Sequence, residues 1–157
     1  MPRATTKKRS RVATQTQTMA QPSMTAKQLS HIFVAFLIGH SLVIYLANRF
    51  FPMTVVLGNH VLSPTMAVLS SMVVFTLIAV GAIPVIEHLA ESQRRRLSSF
   101  DWMAMFTFIN AGGLWLVTRF AEQLGLGVSS WLAVVILALV MDVVQGLLVM
   151  KVIDSGK

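Results

Sequence analysis

Five polar side chains stand deep inside apolar stretches of the sequence: His40, Thr76, Asn110, Asp142 and Gln145. An imidazole and a carboxyl group can exchange protons, and amides and a hydroxyl can pass a hydrogen bond between them or hold it fixed. Asp142 poses the question most sharply, because it lies in LAVVILALVMDVVQGLLVM at 132–150, a run with one acid, one Gln and no base. An ionised Asp at the centre of an inserted helix costs about 2.5–3.5 kcal/mol, whereas an interhelical hydrogen bond in a membrane contributes about 0.6 kcal/mol on average. One such bond does not offset the charge, so Asp142 is expected either to be neutral and hydrogen-bonded or to be held as an ion pair by His40. Two functions follow from the same residues. They line a proton or ion route, as intramembrane ionisable groups often do, or they form a polar clamp that fixes helix register within or between copies.

Other chemistry finds little support in the residues. The chain has no cysteine, so it offers no disulfide, thiolate ligand or Cys nucleophile. His31, His40, His60 and His88 have no second His at helical metal spacing, EHLAE at 87–91 lacks the HExxH order, and no GxSxG elbow occurs. Glu87, His88 and Glu91 share one helix face and are expected to pair with Arg94, Arg95 and Arg96 in a solvated network of small energetic weight. No catalytic residue, metal ligand or cofactor is expected.

The elements that carry the five residues are set by composition. With 55% hydrophobic and 12% charged residues, the chain is too apolar for a soluble domain of its length. Four apolar spans, at about 30–51, 64–87, 102–120 and 131–153, each have the roughly 20 residues that cross a bilayer as a helix. The expected fold is an all-α membrane protein with four transmembrane helices occupying 30–153. Ser63 with Pro64, Ser99 ahead of Asp101, and Ser129 with Ser130 before Trp131 are start signals. Pro84 is expected to loosen the last turns of the second span. The midpoints of the spans place His40, Thr76, Asn110 and Asp142 close to one plane. On the fourth span Ala138, Asp142, Gln145, Gly146 and Val149 share a face, and on the third Thr107, Asn110, Ala111 and Thr118 do so. Lipid satisfies neither an amide nor a carboxyl, so these faces are expected to meet.

Residues 1–29 contain no acid and carry Arg3, Lys7, Lys8, Arg9, Arg11 and Lys27 among Thr, Gln, Ser and Ala, a composition expected to stay disordered. With that tail on the cytoplasmic side, the inner segments hold eleven bases, which include Arg94, Arg95, Arg96, Lys151 and Lys157, and the outer side holds Arg49 and Arg119. This positive-inside bias puts both termini, including 154–157, in the cytoplasm. The tail's expected partner is the anionic headgroup surface of the cytoplasmic membrane. Nothing such as interleaved aromatics favours nucleic acid.

The chain also reads as a repeat. IYLANRF at 44–50 and LWLVTRF at 114–120 match position by position, His40 falls at the offset of Asn110, and LGN at 57–59 and LGLGVSS at 124–130 lead back toward the membrane. Two tandem parallel helical hairpins are the implied architecture. Gly39, Gly112, Gly113 and Gly146 are read as sites where helices approach closely.

FINAGGLWLVTRFAEQLGLGVSSWLAVVILALVMDVVQGL at 108–147, with the aromatic-Leu-x-x-x-Phe end of an odd span and a short Gly-containing outer turn, resembles the small four-span proteins grouped as the phage-holin-like superfamily IV. The resemblance covers about 43–150 and implies a membrane protein that oligomerises and makes lesions for endolysin release; no site residue carries over from it. Small multidrug exporters also have four spans, but they place an essential Glu in the first span, where this chain has His40. The sequence therefore points to a non-enzymatic, holin-like protein that forms homo-oligomers or joins a membrane complex through polar and small helix faces. The alternative is a small proton- or ion-coupled transporter or channel subunit using His40 and Asp142.

Overall fold

A computed structural model describes residues 26–92 and 98–154. Among the described residues four helices are long and apolar enough to cross a membrane: α1 (Ala26–Phe50), α2 (Pro64–Ser92), α3 (Ser99–Arg119) and α5 (Trp131–Asp154). The expectations for 1–25 of the tail, including Lys7, Lys8, Arg9 and Arg11, for Arg94, Arg95 and Arg96 as partners of Glu87 and Glu91, and for 155–157 lie outside the described residues, whereas 26–29, expected to be disordered with the tail, form the first turn of α1. The four helices make the chain an all-α, multi-pass membrane protein. Between α3 and α5 lie a single turn, α4 (Ala121–Leu124), and the three-residue strand β2 (Leu126–Val128), which pairs with β1 (Val55–Leu57) from the α1–α2 connection.

Helix ends follow from local chemistry. The Ser63 hydroxyl and carbonyl accept from the N–H groups of Met66 and Ala67 at 3.4 and 2.9 Å, and the Ser130 hydroxyl accepts from Ala133 N–H at 3.2 Å. The cap of α3 is Ser98, one residue before the expected Ser99. Its hydroxyl accepts from Asp101 N–H while the Asp101 carboxylate takes the Ser98 N–H at 3.0 Å. This reciprocal capping box needs the acid at the third helical position, and only Ser98 provides that spacing. α2 runs through Pro84 to Ser92 and α1 begins at Ala26, so both helices are longer than the expected spans.

β1 and β2 pair antiparallel as Val55 with Val128, Val56 with Gly127 and Leu57 with Leu126. Because β1 follows α1 and β2 precedes α5, the two hairpin connections lie at the same end of the bundle, and the hairpins run parallel. The ladder is centred on Val56 opposite Gly127, so exchanging its strands maps it onto itself, as a pseudo-twofold axis between the hairpins requires. Helix packing obeys the same symmetry: α1 packs on α2 and α5, α3 packs on α5 and α2, and the diagonal pairs stay farther apart among the described residues.

Two apolar clusters fill the interior. One lies toward the strand end and includes Ile44, Met72, Leu114 and Met141; the other, toward the opposite end, includes Ile32, Phe36, Val80 and Ile83. Each helix passes from one cluster to the other through a polar residue: His40, Thr76, Asn110 or Gln145.

Candidate functional site

The polar layer is built from one side chain per helix. His40 on α1, Thr76 on α2, Asn110 on α3 and Gln145 on α5 are all buried, none more than 3% exposed. Gln145 Nε2 stands 2.9 Å from His40 Nε2 and 3.1 Å from Asn110 Oδ1, and Asn110 Nδ2 donates back to Gln145 Oε1 at 2.8 Å. An amide nitrogen only donates, so His40 accepts at Nε2, carries its proton on Nδ1 and donates it to Thr76 Oγ1 at 3.0 Å. Both protons of the Gln145 amide are thus used, and Asn110 and Gln145 close a reciprocal amide pair. The result is one hydrogen-bonded string crossing all four helices. Its imidazole lies between Phe36 and Phe75, with ring centroids 5.5 and 4.8 Å away.

Asp142 is absent from the string, and of the two expected arrangements the ion pair with His40 is not formed, while a hydrogen bond is. The reason is angular. At 100° per residue, Asp142 is turned about 60° from Gln145 around α5, and that turn aims it at α3 instead of the axis of the bundle. There the Thr107 hydroxyl meets Asp142 Oδ2 at 2.8 Å and the Met103 carbonyl at 2.9 Å. Both Thr107 and Asp142 are only half-buried. Asp142 Oδ1 has no hydrogen-bond partner among the described residues. Since no fully buried side-chain oxygen or nitrogen there lacks one, Oδ1 reaches the surface of the bundle.

The glycines also divide. A Cβ on Gly39 would lie 2.8 Å from Leu148 Cδ1 and 3.1 Å from Val144 Cγ1, so α1 and α5 approach through it; one on Gly113 would meet Ile78 and Phe75 of α2 at 3.3 and 3.4 Å. Gly112 and Gly146, read from sequence as packing sites, face open space with nothing within 4 Å of a built Cβ. Neither lets helices of this chain approach, because each lies on the outer side of its helix.

The strand end holds polar residues that the sequence did not single out. Asn59 accepts from the N–H groups of Val61 and Leu62 at 2.8 and 2.7 Å and donates to the Glu122 carbonyl at 2.8 Å. Asn48 donates to the Val55 carbonyl at 2.7 Å and Ser70 to the Leu124 carbonyl at 2.9 Å. All three serve backbone carbonyls left free by short elements. An Asn-x-x-Leu turn beside a glycine was the available signal, but it names no distant partner. Exposed aromatics ring this end, with the Arg119 guanidinium 5.5 Å from the centre of the Trp115 ring and Trp131, Phe50 and Phe51 outward. This is the distribution of side chains that anchor at a membrane interface.

Chemically, the string can hold four helices in register and can carry hydrogen-bond polarity from Thr76 to Asn110. Among the described residues no three His, Cys, Asp or Glu side chains are gathered as a metal ion requires. No family model, curated protein or solved structure matches the chain significantly.

Proposed function

We propose that this chain is a non-enzymatic, holin-like protein of the cytoplasmic membrane, with both termini inside, that self-associates in the plane of the bilayer. The observation that carries the reading is the closure of the interior polar layer. The buried groups of His40, Thr76, Asn110 and Gln145 are hydrogen-bonded to one another, which favours a clamp that stiffens the bundle over a solvated path through it. A rigid four-helix unit then meets its surroundings through an apolar exterior that carries a half-buried carboxyl, Asp142, midway along α5. The eleven inner bases suit an anionic cytoplasmic leaflet.

Reconstitution into liposomes with anionic lipid tests this reading. Energy transfer between differently labelled copies is expected to rise and saturate as the protein-to-lipid ratio increases, and an encapsulated dye is expected to escape only at high surface density. Copies that remain monomeric at every density, with the dye retained, would sink it.

The second reading is a proton-coupled transporter or channel subunit using His40 and Asp142. The unbroken string through His40 favours it, and the separation of Asp142 from His40 counts against it. Proton flux above that of empty liposomes, lost in His40→Gln and in Asp142→Asn while folding is kept, would establish it in place of the first.

A further inference from the structure

Asp142 stands at the middle of α5, whose span runs from Trp131 to Lys151, and so at the depth where hydrocarbon is thickest. Thr107 engages one of its oxygens, and the other lies at the surface of the bundle without a partner among the described residues. Lipid offers that oxygen nothing. One turn further along the same flank, Gly146 leaves open space where a side chain would stand. Val135, Leu139, Asp142, Gly146 and Val149 succeed one another at spacings of four and three, the seam of a left-handed helix pair. Leu139 and Gly146 on this line are exposed; Val135, Asp142 and Val149 are half-buried.

We propose that this line on α5 is the self-association site, and that its occupant is the same line on a second copy of the chain. The inference rests on the self-association reading above and gives it a location. Copies inserted in one membrane with one orientation present Asp142 at the same depth, so a parallel twofold pair sets one carboxyl against the other. The facing carboxyl groups then hydrogen-bond to each other across the interface, as polar side chains do between membrane helices. Each outward Oδ1 then gains the partner it lacks within a single copy. Gly146, one turn away, lets the two backbones approach closely enough for that contact, as small residues do at membrane helix interfaces.

The chain has no cysteine, so a single introduced thiol reports on this face alone. The full-length protein in liposomes is measured by energy transfer between labelled copies during dilution with lipid, and by disulfide crosslinking of Leu139→Cys. Leu139→Cys is expected to crosslink to itself. Gly146→Ile is expected to weaken association about tenfold or more, with unchanged helical content and thermal midpoint, because a Cβ there meets nothing in its own chain. Gly112→Ile, at an equally open position on α3 away from the seam, is expected to associate within about twofold of wild type. Asp142→Asn, which still hydrogen-bonds to its copy, is expected to associate; Asp142→Leu is expected to weaken the pair about threefold or more, the value of one such bond. If wild type associates and both Gly146→Ile and Asp142→Leu associate equally well, the α5 site is wrong and self-association uses another face. If wild-type copies do not associate in pure lipid, the underlying reading fails as well, whether the flank of α5 is bare or takes a different membrane protein.

Discussion

The amide pair between Asn110 and Gln145 is a reciprocal, fully buried polar contact, and its energetic role follows from what each member is left with when the other is removed. Truncating Gln145 leaves both the Asn110 amide and His40 Nε2 buried without partners, a loss of about 1–3 kcal/mol by the usual cost of an unsatisfied group. The coupling itself is smaller, because an unfolded chain in lipid also finds partners. A double-mutant cycle of Asn110→Ala and Gln145→Ala, followed by detergent unfolding, is expected to give an interaction energy of about 0.6–1.7 kcal/mol. Asp142→Asn leaves an acceptor for Thr107 and is expected to shift the stability of the single copy by less than about 0.5 kcal/mol. A larger loss for Asp142→Asn than for Gln145→Ala would move the clamp from the string to the carboxyl. At this scale the sequence shows which residues are polar at which depth, since depth is a count along a helix. It does not show that Gln145, not Asp142, aims at His40. That depends on about 60° of rotation, and hydropathy cannot resolve it on a helix as uniformly apolar as α5. The same ambiguity hid the difference between Gly39 or Gly113, which pack against a neighbouring helix of the same copy, and Gly112 or Gly146, which meet none there.

Among the elements, the four long helices were legible and the strands were not. A run of twenty apolar residues admits one structure in lipid, because only a helix satisfies its own backbone there. VVL and LGV are each three residues long, too short for an alternating pattern, and their hydrogen bonds lie about seventy residues apart in the chain. The joint they form depends on Gly125, which caps α4 with a φ of 77° and would place a Cβ 2.5 Å from that of Ala67 on α2. The left-handed conformation costs a non-glycine residue about 1–2 kcal/mol, and a clash with backbone-anchored atoms adds about 1–3 kcal/mol. Gly125→Ala is therefore expected to lower stability by at least about 2 kcal/mol, with faster amide exchange at Leu126, Gly127 and Val128 and little change in the middle of α1. Unchanged exchange in β2 would mean that the pairing of the two hairpins does not depend on this close contact.

For the whole molecule, the pseudo-twofold arrangement and the charge distribution make a joint statement about orientation. Pairing of β1 with β2 puts both hairpin connections at one end of the bundle, so the start of α1, the end of α2, the start of α3 and the end of α5 share the other. The ends carry very different charge. Arg49 and Arg119 flank the connections at the strand end and Lys27 and Lys151 lie toward the opposite end, while in the sequence the other nine bases precede α1, link α2 to α3 or follow α5. By the positive-inside rule, an excess of this size is expected to hold the chain in one orientation. The absence of cysteine again makes the test direct. Met53→Cys, at a position 89% exposed beside β1, is expected to react with a membrane-impermeant maleimide on intact spheroplasts. Glu91→Cys, exposed at the far end of α2, is expected to react only after permeabilisation. Labelling of both before permeabilisation would mean that copies insert in both directions. Parallel pairing along α5 would then give way to antiparallel pairing, in which Asp142 still meets its copy near the midplane but Gly146 and Leu139 exchange places across the seam.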